Sequence, residues 1–129
     1  MINLQAKKRV EEYMDELVDK AKELVEETKI YDPMDPSQLR NLLNLVSDTE
    51  SVKVIELFIQ YQMGRNREVW THAGFGDLLL EEIKVLEGIA KEIDVNFSKA
   101  IWIELVRLFI GYLNRYFVYM RNIKKEGES

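Results

Sequence analysis

Apolar positions recur every three or four residues along almost the whole chain, and no stretch sustains the two-residue alternation of a half-buried strand. Val10, Tyr13, Met14, Leu17 and Val18, then Ala21, Leu24 and Val25, fall on one face of a helix predicted over Asn3–Thr28. Acidic and basic residues fill its opposite face, as suits contact with water. Tyr31-Asp32-Pro33-Met34-Asp35-Pro36 follows as a stiff connector, because each proline keeps the residue before it out of helical backbone. Asp35, Pro36 and Gln38 then make a helix start. The aspartate caps, the proline needs no donor in the first turn, and the glutamine stands at the third position of a capping box. Leu39, Leu42, Leu43 and Val46 form the apolar face of this helix, and Ser47-Asp48-Thr49 ends it and offers the next cap. Val52, Ile55, Phe58, Ile59 and Met63 line one face of the second helix of the hairpin, expected to end with Gly64 just past its last turn.

Beyond Gly64 the periodicity lapses. Trp70–Gly76 reads as a loop in which Trp70 and Phe75 either pack inward or stand out to stack on a nucleobase. Leu78, Leu79, Ile83, Leu86, Ile89 and Ala90 mark a helix over Asp77–Lys91. The last helix, Ser98–Met120, is apolar or aromatic at most positions. Glu104, Arg107, Asn114 and Arg115 interrupt it on one face with Gly111, which argues against a membrane span. Its apolar circumference exceeds what five helices readily cover, which points to burial at a subunit interface. Lys124–Ser129 is expected to fray. The expected fold is all-α. It is a single compact bundle of about five helices over residues 1–129, with a first helix within 1–30, a helical hairpin over 35–67 and a C-terminal helix pair over 75–123.

Composition narrows the chemistry. A chain of 129 residues, 47% hydrophobic and 32% charged, has the balance of a globular domain. It has no cysteine, which rules out disulfides and thiolate sites, and its one histidine, His72, cannot build a conventional zinc site. No glycine-rich phosphate loop and no catalytic triad is legible, so neither a cofactor nor an enzymatic activity is expected. The adjacent carboxylates Glu81 and Glu82 point in different directions on a helix and read as a solvated face. The amino-terminal segment lacks the apolar core of a signal peptide, so a cytoplasmic location is expected. Net charge is −5 and unevenly spread. Residues 75–94 carry six acidic against two basic side chains, and residues 95–125 carry six basic against one acidic. Such asymmetry suits an acidic surface that meets a basic one, within the fold or on another copy.

The hairpin concentrates the remaining signal. Gln38, Arg40, Asn41 and Asn44 lie near its start, and Gln60, Gln62, Arg65, Asn66 and Arg67 near its end. Guanidinium and amide groups with few carboxylates nearby suit phosphate and ribose contacts. They equally describe a capped surface hairpin whose last arginines complement a helix dipole. Ser37-Gln38-Leu39-Arg40, an apolar helix, and then Phe58-Ile59-Gln60-Tyr61-Gln62-Met63-Gly64-Arg65 resemble the small subunit of the type III-A CRISPR effector, the Csm complex. That family has a Gln-x-Arg helix start, matched at Ser37–Arg40, and a Tyr-x-x-(small)-Arg ending, matched at Tyr61–Arg65. Elsewhere only length and helical character agree.

The resemblance implies a non-catalytic RNA-binding subunit of an antiviral complex, a homo-oligomer stacked along the effector beside other CRISPR subunits. Its RNA contacts would be to guide RNA and target RNA. Arg40, Arg65 and Arg67 are the positions to which that role carries over. Lys53, Arg107 and Arg115 are possible additions on a shared groove, with Gln38, Gln62 and Asn66 reaching ribose hydroxyls or holding the arginines. The alternative is a helical protein–protein adaptor that homodimerises through the last helix and binds no nucleic acid. A DNA-binding regulator is weaker, because a recognition helix would carry more basic and polar groups than Val52–Met63.

Overall fold

The computed structural model describes residues 2–128. Among them it contains seven α-helices and no strand: α1 (Leu4–Glu12), α2 (Met14–Thr28), α3 (Pro36–Asp48), α4 (Val52–Arg65), α5 (Arg67–Trp70), α6 (Phe75–Ile93) and α7 (Ser98–Glu128). Short 3-10 turns at His72–Gly74 and Val95–Phe97 precede α6 and α7. Two of the seven α-helices account for the excess over five. The predicted first helix is divided at Tyr13, whose N–H bonds to Val10 O at 3.0 Å, three residues back, and so interrupts the α-helical ladder. α5 is a single turn within the segment expected to be a loop.

Local chemistry sets most helix ends. Asn3 caps α1 by accepting the Ala6 N–H at 2.8 Å, and Ser51 caps α4 by accepting that of Val54 at 3.3 Å. The Asp35–Gln38 capping box forms as the sequence requires, with Gln38 Oε1 accepting the Asp35 N–H at 3.0 Å. Gly64 does not end α4. The helix runs on to Arg65, and Asn66 is its C-cap, with its N–H on Gln62 O at 2.7 Å. Residues 70–76 are not a loop either. Ala73 and Gly74 take left-handed backbone (φ 50° and 77°), which turns the chain directly from α5 into α6.

α7 is the axis of the molecule. Its 31 residues extend for about 46 Å at the α-helical rise, and it packs chiefly on α2, then on α6 and α3. Ile101, Leu105, Val106, Phe109, Ile110, Leu113 and Phe117 are wholly buried in one apolar core with Leu17 and Val25 of α2, Leu39 and Leu42 of α3, Ile55 and Ile59 of α4, and Leu79, Ile83 and Leu86 of α6. The chain itself therefore covers α7 as far as Phe117, and exposure of its large apolar residues is confined to Val118, Tyr119 and Ile123. Most of the apolar circumference expected to need a subunit interface is thus covered within the chain, and these three residues are what remains for one. α7 also continues as helix to Glu128 where fraying was expected; Ser129 lies outside the described residues.

Polar ties fix the packing. Trp102 Nε1 donates to Ile83 O at 2.8 Å, and Lys20 pairs with Glu82 at 3.2 Å. Arg121 donates to the carbonyls of Tyr31 and Met34 at 3.1 and 2.8 Å, holding the proline connector against α7. No described helix is long and apolar enough to cross a membrane.

Candidate nucleic-acid interface

The seven side chains expected to meet RNA occupy four places. Arg65 and Arg67 flank the Asn66 cap at the α4–α5 junction, both exposed, with the Arg65 guanidinium 5.9 Å from the centre of the Tyr61 ring. Arg40 is exposed on α3, next to the buried Leu39. Helical spacing gives it Asn44 and Ser47 as neighbours on one flank, while Gln38 projects elsewhere. Gln38 Oε1 is already committed to the capping box, which leaves its amide NH₂ as the group available to a ligand.

Lys53 and Arg107 belong to the opposite end of the hairpin. Lys53 starts α4, about 18 Å of helical rise from Arg65, in a shallow cleft lined also by Glu50, Glu87, Lys99 and Trp102. Arg107 is a clamp. Its Nε donates to Val46 O at 3.2 Å, and its terminal nitrogens to Thr49 O at 3.0 Å, Glu50 at 2.9 Å and Glu104 at 2.9 Å. Those carbonyls are among the last of α3, so the guanidinium caps that helix and ties it to α7. Partial burial works against its charge, but the hydrogen bonds to Glu50 and Glu104 prevail and hold its pKa above the ordinary arginine value. Nearly all its donors are used within the fold, so it is a fastening and not an open phosphate contact.

Arg115 stands apart again, in a groove of about 250 Å³ between α2 and α7 that is lined by Val18, Lys22, Tyr112, Tyr116 and Tyr119. Its guanidinium lies 5.9 Å from the Tyr112 ring centre, and Lys22 Nζ lies 5.4 Å from that of Tyr116. The Tyr116 hydroxyl donates to Glu26, and this bond, with some burial, pushes its pKa from 10.0 up to about 12. A groove that adds Lys53, Arg107 and Arg115 to the hairpin arginines is thus not what the fold presents, with Arg107 clamped within the fold and Arg115 between α2 and α7. The three tyrosines recur at positions i, i+4 and i+7, a signal visible in the sequence but absorbed there into the apolar tally of α7.

Arg40, Lys53, Arg65, Arg67 and Arg115 enter no ion pair among the described residues, in contrast to Arg107. Trp70 and Phe75 are fully buried against each other, ring centres 5.9 Å apart, so neither serves as a stacking platform. His72 is half-buried in the turn between them. No group of three or more His, Cys, Asp or Glu side chains able to hold a metal occurs among the described residues. No protein-family model matches this chain, and no match was found among curated proteins or solved structures.

Proposed function

We propose that this chain is the non-catalytic, RNA-contacting small subunit of a type III-A CRISPR effector, acting in the cytoplasm beside other effector subunits. The observation that carries the reading is the state of Arg40, Arg65 and Arg67. All three lie in the Asp35–Arg67 segment that resembles that family, and all are exposed with no carboxylate paired to them among the described residues. Arginines left in this state present rigid donor forks suited to phosphate oxygens. Base pairing between guide and target RNA supplies sequence recognition, so the subunit needs only contacts to backbone and shape. Repetition of the subunit along the RNA compensates for a net charge of −5, since each copy needs only a local basic strip.

The test is RNA binding by the folded Arg40→Ala/Arg65→Ala variant. Affinity is expected to fall by about tenfold or more, and the dependence of log affinity on log salt to become shallower by roughly one to two. Unchanged affinity in the folded variant would remove these arginines from the site. A homodimerising adaptor that binds no nucleic acid is the second reading, and the exposed Val118, Tyr119 and Ile123 on distal α7 are what favour it.

A further inference from the structure

α4 is apolar on two opposite sides. Val52, Ile55 and Ile59 face the core, and at about 100° per residue the centre of the opposite side falls near Leu57 and Tyr61, with Val54 beside them. These three are 66%, 56% and 45% exposed, on the part of a surface helix where charged residues are expected. They recur at i, i+3 and i+7, the spacing with which one helix seats another. Gly64 continues the series at i+10 and has open space where a side chain would stand, so a partner backbone can approach closely there. Lys53 lies on one edge of the strip and Arg65 on the other, both exposed and free of ion pairs among the described residues. The carboxylate of α4 itself, Glu56, is half-buried and turned away from the strip. Glu50, just before the helix, is bonded to Arg107, and Glu68 follows on α5.

We propose that the outward face of α4 is a docking surface for an acidic amphipathic helix of a partner protein. Val54, Leu57 and Tyr61 take the partner's apolar residues, and Lys53 and Arg65 take carboxylates beside them. Charge selects this occupant. Two copies of α4 packed strip to strip would gather Lys53 and Arg65 of both around one seam, and neither helix has an exposed carboxylate to oppose them. No other described helix of the chain offers the complement: α1 exposes Leu4 among Lys7, Lys8 and Arg9, and α3 exposes no large apolar residue. The exposed positions of α2 are all charged, α6 exposes Val85 as its one large apolar residue, and the exposed end of α7 carries Lys124 and Lys125. The inference shares Lys53 and Arg65 with the RNA reading and is separated from it at the apolar strip. Leu57 and Val54 bear no charge, so their substitution leaves RNA affinity unchanged, and Arg40→Ala on α3 leaves docking unchanged.

The test uses two designed helical peptides with leucine at the a and d positions, one flanked by glutamates and the other by lysines. The full chain at low salt is expected to bind the glutamate peptide about tenfold or more tightly than the lysine peptide, with amide NMR shifts centred on α4. Leu57→Ser/Tyr61→Ser is expected to weaken that binding about tenfold or more while the melting curve stays close to that of the parent. Lys53→Glu/Arg65→Glu, which touches no apolar contact, is expected to reverse the preference towards the lysine peptide. Equal binding of both peptides, shifts centred on another face, or indifference to both variants would overturn the proposal. So would self-association of the parent chain that Leu57→Ser abolishes, since it would make the occupant a second copy.

Discussion

Arginine serves two purposes in this chain, and the partners of each side chain decide which. Arg107 spends its donors on two carbonyls at the end of α3 and on Glu50 and Glu104. Arg107→Ala would leave those carbonyls without a capping donor and is expected to cost about 2 kcal/mol in chemical denaturation, while RNA affinity per folded molecule is unaltered. Arg107→Lys is expected to recover little, because an ammonium cannot reproduce the fork. A stability equal to that of the parent would deny the clamp. Tyr116 gives a second residue-level prediction. Its bond to Glu26 favours the neutral phenol, so the stabilisation is complete below pH 10.0 and is lost as pH rises from there through about 12. Ultraviolet titration should show one tyrosine ionising late, and Glu26→Gln should bring it back towards 10.0. A titration identical in the parent and the variant would contradict this account of the phenol.

At the scale of elements, two glycines separate local from tertiary causes. A Cβ on Gly76 would stand 2.5 Å from Met63 Sδ and 2.8 Å from Trp70 O, and the backbone carbonyl cannot swing aside. Gly76→Ala is therefore expected to destabilise by about 1–3 kcal/mol. Gly64, helical with nothing near its Cβ direction, should accept alanine with a gain of up to about 1 kcal/mol. Thermal melts of the two variants should move in opposite directions, and a common direction would refute the contact. The same division explains what the sequence could convey. The Asp35–Gln38 capping box was legible because it depends on four adjacent residues. The break at Tyr13 was not, since no proline or glycine marks it. The continuation of α4 past Gly64 and the left-handed Ala73–Gly74 turn are set by how α4, α5 and α6 meet. The two-sided apolar character of α4 is written in its sequence, but only packing decides which of the two sides turns inward.

At the scale of the whole molecule, the all-α bundle and its long axial helix follow from periodicity alone, whereas the distribution of the basic residues does not. Sequence proximity could group Arg65 with Arg67. It could not foresee that Arg107 fastens α3 to α7, or that Arg115 opens onto a tyrosine-lined groove between α2 and α7. The proposed RNA contacts are therefore Arg40, Arg65 and Arg67, with Lys53 at the far end of α4. The proposed helix-docking strip lies between Lys53 and Arg65, so protein and RNA contacts would adjoin on the hairpin. The most direct test of the central claim is purification of the chain from its native host under gentle conditions, with the co-purifying RNA and proteins identified. A protected small RNA is expected together with other CRISPR effector subunits, both diminished in the Arg40→Ala/Arg65→Ala variant. Recovery as a nucleic-acid-free dimer in low salt would contradict that claim, and would leave the Asp35–Arg67 segment a capped surface hairpin.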